Sequence, residues 1–147
     1  MIASRSLADL LPEVRVKANS LISACLKEGI ELLVYSTYRD FDSQFGLYRI
    51  GRRGVKGEAI QTNAEPGESW HNWRRAFDVV IMQNGKCMWG YSTKEQKDLY
   101  NKVGAIGEKI GLQWSGRWKG KLREVYHFQF TGGETLTELL RKNPGGL

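Results

Sequence analysis

No stretch of this sequence stays apolar for long. After Met1, the residues Ser4, Arg5, Asp9 and Glu13 interrupt the N-terminal segment, so neither a signal peptide nor a membrane span is expected. Cysteine is nearly absent: Cys25 and Cys87 form no C-x-x-C pair, which excludes a thiolate zinc cage and a disulfide framework. Both are expected as free thiols, Cys25 on the inner face of a helix. Acidic residues are outnumbered, 16 Asp and Glu against 22 Lys and Arg, for a formal net charge of +6. That balance favours a polyanionic partner such as nucleic acid, an anionic membrane face or an acidic polymer, without choosing among them. No internal repeat, low-complexity tract or linker divides the 147 residues, so one domain is expected, with its core between about Pro12 and Arg141.

What is present reads as alternating short elements. Pro12 to Lys27 places Val14, Ala18, Leu21, Ile22 and Cys25 at helical spacing, with Gly29 just past the end. Ile30 to Thr37 is an aliphatic and β-branched run expected as a buried strand, delivering Tyr38-Arg39-Asp40 to a strand end. A short helix is expected from Asp40 or Phe41 to Gly51, and Arg39 and Gln44 are candidates to face one cleft. Gly51 to Glu68 is polar, Gly-rich and basic, and reads as a long surface loop. Ala76 to Met82 and Lys86 to Trp89 are expected as a hairpin around Asn84-Gly85. Ser92-Thr93-Lys94-Glu95 has the form of a capping box for a helix ending at Gly111. Leu112 to Lys121 reads as a loop, Tyr126 to Phe130 as a strand, and Thr135 to Arg141 as a closing helix before a frayed tail. Helices at the ends and a mainly antiparallel sheet between them predict an α+β domain.

Histidine is scarcer than any of this requires, and both copies sit beside acids. His71 precedes Asp78 by seven residues, and His127 follows Glu124 by three. Either segment alone reads more readily as an ordinary surface or core pair. Together they use every histidine in the chain in two complementary half-motifs. Two imidazoles and one carboxylate are the usual protein ligands of a catalytic zinc, and a second carboxylate beside the open position serves as general base. His71, Asp78 and His127 are therefore the expected ligands and Glu124 the expected base. Asp78 lies among Phe77, Val79, Val80 and Ile81, where an ionised carboxylate needs a compensating cation. Residues three apart on a regular strand face opposite ways, so Glu124 is expected on the loop before the strand that carries His127. Ser69 is a candidate to orient His71 or the substrate.

Ser69-x-His71, Asp78 and Glu124-x-x-His127 resemble the zinc peptidases of the D-alanyl-D-alanine carboxypeptidase family. That family includes the vancomycin-resistance carboxypeptidases and the L-alanyl-D-glutamate endopeptidases of bacteriophages. Tyr38-Arg39 with Gln44 and Leu47-Tyr48, and Gly111-Leu112-x-Trp114-x-Gly116-x-Trp118, extend the likeness over roughly Ile30 to Phe130. The resemblance implies a small α+β fold shared with hedgehog-type domains and one zinc ion per chain. It also implies a peptidoglycan stem peptide as substrate and substrate contacts from Arg39, Gln44, Ser69 and Trp114. One departure is Arg74, where the family often has glycine, and an arginine there is a candidate to intrude on the groove.

Among functions, a phage-type endolysin cutting the L-alanyl-D-glutamate bond fits best. A basic monomer without an export signal or wall-binding module suits an enzyme kept in the host cytoplasm until lysis and then drawn to the anionic wall. A D-alanyl-D-alanine carboxypeptidase is the near alternative, though such an enzyme needs export. A basic nucleic-acid-binding protein is the remote one, because no nucleic-acid motif appears and the aromatics do not interleave with the basic run. Neither nucleic acid nor stable membrane insertion is expected.

Overall fold

In a computed structural model that describes residues 1–147, five antiparallel strands form one sheet. They are β1 (Glu31–Ser36), β2 (Ala76–Gln83), β3 (Lys86–Cys87), β4 (Gln113–Trp114) and β5 (His127–Gln129). The order is β1-β2-β5-β4, with β3 also pairing β2. Four helices accompany them: α1 (Pro12–Lys27), α2 (Phe41–Arg49), α3 (Lys94–Ile110) and α4 (Leu136–Lys142). None is long and apolar enough to cross a membrane.

The two faces of β2 have different jobs, as period-two alternation requires. Phe77, Val79 and Ile81 point to α1 and α3 and join the main apolar cluster with Val14, Leu21, Tyr100 and Phe128. Each such side chain, fully buried, contributes about 1.5–3 kcal/mol. Asp78 points the other way, and this opposite face carries the chemistry. Cys25 lies on the buried face of α1 as expected, and both cysteines are free thiols.

Several local departures have identifiable causes. The box that starts α3 is Thr93 with Gln96, one residue later than Ser92 with Glu95, because Gln96 Oε1 accepts from the backbone of both Ser92 and Thr93. The returning hairpin strand stops at Cys87 rather than Trp89. There Tyr100 inserts its hydroxyl, accepting from the Ile81 amide at 3.1 Å and donating to the Met88 carbonyl at 2.6 Å. The segment expected as a loop after α3 contains edge strand β4, and the strand expected over Tyr126 to Phe130 is confined to β5. Asn84 and Gly85 both take positive φ, 54° and 74°, as the tight turn between β2 and β3 demands.

Two features brace the site end of the sheet. The N-terminal segment runs beside the end of β1, with Ser4 accepting from Thr37 and donating to the Tyr38 carbonyl through the backbone. Asp40 caps α2 through the Ser43 amide at 2.8 Å and also receives the Ile2 amide. The turn after β1 is thus held from both sides.

Candidate active site

The three expected ligands arrive from three different elements. His71 sits in a 3-10 turn, Trp70–Trp73, started by Ser69, whose hydroxyl accepts from the His71 amide at 3.3 Å. That turn is tied to the end of β1: the Arg39 amide donates to the His71 carbonyl, and the Asn72 side chain donates to the Arg39 carbonyl at 2.8 Å. Asp78 and His127 are direct partners across β2 and β5, so strand register alone places them together. Asp78 Oδ2 lies 3.3 Å from His71 Nε2, and Oδ1 lies 3.0 Å from His127 Nδ1. The ligating atoms of all three lie within 4.8 Å of one another.

Each imidazole has its second nitrogen engaged. His71 Nδ1 donates to the Thr37 carbonyl at 2.7 Å, which turns the Nε2 lone pair toward Asp78. His127 Nε2 donates to Gln129 Oε1 at 2.9 Å, and the Gln129 amide in turn donates to Gln113 Oε1 at 2.8 Å. This leaves Nδ1 facing Asp78. Burial pushes the Asp78 carboxyl up, but the two imidazoles outweigh it and hold that carboxyl well below the usual range. Burial alone lowers His127, and the Asp78 carboxylate reverses the direction, so the imidazole is raised.

These residues suit a divalent metal. Zinc bonds of about 2.0–2.1 Å in a tetrahedron put neighbouring ligand atoms about 3.3–3.4 Å apart; the nitrogen to oxygen separations here are 3.3 and 3.0 Å, to the two different oxygens of Asp78, with all three donors within 4.8 Å. The donor set of two nitrogens and one carboxylate oxygen, with outer partners fixing both tautomers, is that of a catalytic site with one position open.

The remaining candidates separate into those at the cluster and those behind it. Glu124 lies in irregular chain before β5, with Oε2 3.9 Å from His127 Nδ1, at the edge of the His71, Asp78 and His127 cluster. Its side chain is 63% exposed, so it is free to meet solvent and substrate. Arg39 and Ser69 line a cleft of about 610 Å³ together with His71, Asp78, Glu124 and His127. Burial lowers the Arg39 pKa, and Asp78 and Glu124 oppose that effect.

Gln44 and Trp114 do not reach the cleft. Gln44 is fully buried, accepting from Arg39 Nη1 at 2.8 Å and donating to the Ala64 carbonyl at 2.8 Å. Trp114 is a core residue whose indole nitrogen donates to the Val125 carbonyl at 2.8 Å. Gly104 and Gly116 exist to admit its ring: a Cβ on either would lie 2.2 Å or less from it. Arg74 also points away from the groove. Its guanidinium covers the Tyr38 ring at 3.8 Å and donates to the Asp9 carbonyl at 2.8 Å.

Sequence reasoning missed the partners of the second ring nitrogens, Thr37 and Gln129. A carbonyl such as that of Thr37 leaves no trace in side-chain identity. Gln129 did leave one, because two residues beyond His127 on a strand is the same face.

A second hollow of about 420 Å³ is lined by Tyr35, Tyr91 and Arg123 as well as Asp78, Glu124 and His127. Asp78, Glu124 and His127 line both hollows.

The family model described as VanY, D-alanyl-D-alanine carboxypeptidase, matches residues 8–133. The chain belongs to this family. Among curated relatives, this VanY-family chain is 32% identical over 126 residues to the peptidoglycan L-alanyl-D-glutamate endopeptidase CwlK of Bacillus subtilis, covering 83% of this chain and 74% of that protein. It is 29% identical over 130 residues to the L-alanyl-D-glutamate peptidase of Listeria phage A118, covering 86% of this chain but only 41% of the phage protein. A solved structure of the vancomycin-resistance D,D-pentapeptidase VanY with Zn(II) superposes with a TM-score of 0.62 at 18% identity, over 90% of this chain and 78% of that one. At that identity the likeness concerns the small α+β fold.

Proposed function

We propose that this chain is a zinc-dependent peptidoglycan endopeptidase that hydrolyses the L-alanyl-D-glutamate bond of stem peptides. The observation that carries this reading is that Asp78 and His127 of the cluster, with Glu124, line two hollows at once, while His71 lines the larger. A peptide lying across it continues on both sides of the bond to be cut, as internal cleavage requires. The curated relatives named for that bond support the choice.

His71, Asp78 and His127 would hold the metal, which when bound polarises the scissile carbonyl and acidifies water. Glu124 takes the proton of the attacking water and passes it to the leaving amine. Arg39, held by Gln44, presents its guanidinium to a carbonyl or carboxylate of the substrate. Ser69 fixes the turn that aims His71 and borders the bound peptide. With a net charge of +6, the enzyme is drawn to anionic wall polymer, which suits a phage lysin held in the host cytoplasm and released at lysis.

D-alanyl-D-alanine carboxypeptidase activity is the second reading, favoured by the description of the family model. Mass spectrometry of purified peptidoglycan after digestion separates the two. New N-terminal D-glutamate is the expected product, and released D-alanine without it would transfer the chain to the second reading.

A further inference from the structure

The smaller hollow contains groups that neither the ligand scheme nor the proton transfer uses. Strand β1 pairs regularly with β2 from Glu31 to Val34, then slips before Ser36, leaving Tyr35 as the extra residue of a bulge. Bulges re-aim side chains and gather beside active sites. Here the bulge brings the Tyr35 ring into the hollow with Asp78, Glu124 and His127. Tyr35 is held edge-on by Trp89 and Tyr126, with centroids 5.2 and 6.4 Å away, so its ring is a fixed wall.

The same hollow is lined by Arg123, the chain neighbour of Glu124. Its Nε donates to the Trp118 carbonyl at 3.3 Å, and its guanidinium lies 5.8 Å from the Tyr91 ring centroid. Its side chain is exposed and pairs with no carboxylate of the protein, and it lines the same hollow as Asp78, Glu124 and His127. An unpaired guanidinium in a pocket walled by tyrosines is suited to a planar anion from outside.

We infer that this hollow is the subsite for the substrate residue that leaves as the amine, and that Arg123 recognises its free α-carboxylate against the Tyr35 wall. This deepens the endopeptidase reading and rests on it. The proton taken by Glu124 goes to the departing amine, so the residue bearing that amine lies against Glu124 and within reach of the next side chain. In the L-alanyl-D-glutamate bond, the stem continues from the glutamate side-chain carboxyl, so the α-carboxylate beside the cut nitrogen is free. Amidation of that group removes the charge while keeping the shape.

The experiment compares two synthetic stem peptides, one with D-glutamate and one with its α-amide, on wild type, Arg123→Gln and Arg123→Lys. Wild type is expected to favour the acid by roughly tenfold in kcat/KM, from the loss of one charge-assisted hydrogen bond in the amide. Arg123→Gln should slow the acid several-fold more than the amide and so erase most of the preference, while Arg123→Lys restores part of it. Equal loss on both peptides, or no loss, would overturn the assignment. A parallel pair ending in D-alanyl-D-alanine, free or amidated, keeps the two ideas apart. Turnover confined to that pair would refute the endopeptidase reading, and the same Arg123 comparison would then decide the subsite on it. No turnover of any of the four peptides would overturn both.

Discussion

Arg39 and Gln44 are joined by a 2.8 Å hydrogen bond from Nη1 to Oε1, and the amide of the same glutamine donates to the Ala64 carbonyl. One fully buried side chain thus couples the arginine at the end of β1 to the long Gly51–Glu68 segment that borders the cleft. Gln44→Ala would release the guanidinium and leave the half-buried Ala64 carbonyl without its donor, at a cost of about 0.5–1.5 kcal/mol. Urea unfolding should show that loss, and kcat/KM should fall with bound metal unchanged. Unaltered kinetics would mean that Arg39 is positioned by something else.

Metal content and activity should separate by residue. His71→Ala should lose the metal, and Glu124→Gln should retain about one zinc per chain on the three-ligand scheme while activity falls by roughly 10²–10⁴-fold. Elemental analysis alongside turnover makes the comparison. A Glu124→Gln protein that digests wall at the wild-type rate would take Glu124 out of the proton transfer.

Acid should strip the site. Metal binding needs both imidazoles neutral and Asp78 ionised, so it releases protons. In the metal-free protein the His127 imidazole is raised above its ordinary value by Asp78. Its contribution to stability is therefore full below the unfolded value and is lost as pH rises through the folded one. Zinc works in the opposite sense, gaining as the imidazoles lose their protons. The increase in Tm on adding zinc should grow as pH rises through the imidazole range, and scanning calorimetry across that range tests it. A pH-independent increase would place the metal on other ligands.

The two thiols should report on packing. Burial, with a smaller contribution from Glu28, pushes the Cys25 thiol up to about 11, and the residue has no exposed surface. Cys87 is half-buried at the end of the hairpin. Since the thiolate is the reactive form, a disulfide reagent at mildly alkaline pH should modify Cys87 first, and Cys25 only when the chain unfolds. Two equal fast phases would show α1 opening from the core.

Much of this arrangement is legible in the sequence because strong local signals agree with tertiary need. The alternation in Ala76 to Met82, the Asn84-Gly85 turn and the glycine after each long helix mark β2, the hairpin and the ends of α1 and α3. Other features are decided by partners. Strand β4 is two residues long and exists because β5 lies beside it, which no local pattern reports. Trp114 shares its segment with residues near the cleft, yet Gly104 on the preceding helix makes the space that draws it into the core. Gln44 has helical spacing compatible with the cleft. Its burial follows from the Gly51–Glu68 segment folding over it, a tertiary event.

Arg74 shows why a glycine suits the turn after His71. Its φ of 60° and ψ of 28° are left-handed, a conformation that costs a side-chain-bearing residue about 1–2 kcal/mol. The side chain offsets this by covering Tyr38 and bonding the Asp9 carbonyl, contacts worth about 0.5–1 and 0.5–1.5 kcal/mol. Arg74→Gly removes strain and contacts together and should leave stability within about 1 kcal/mol of wild type. Arg74→Ala keeps the strain and loses the contacts, so it should be the less stable of the two by about 1 kcal/mol. Because the guanidinium lies outside the groove, both variants should keep the wild-type preference among stem peptides. If Arg74→Gly altered that preference while its melting curve stayed put, the side chain would have to reach the substrate in solution.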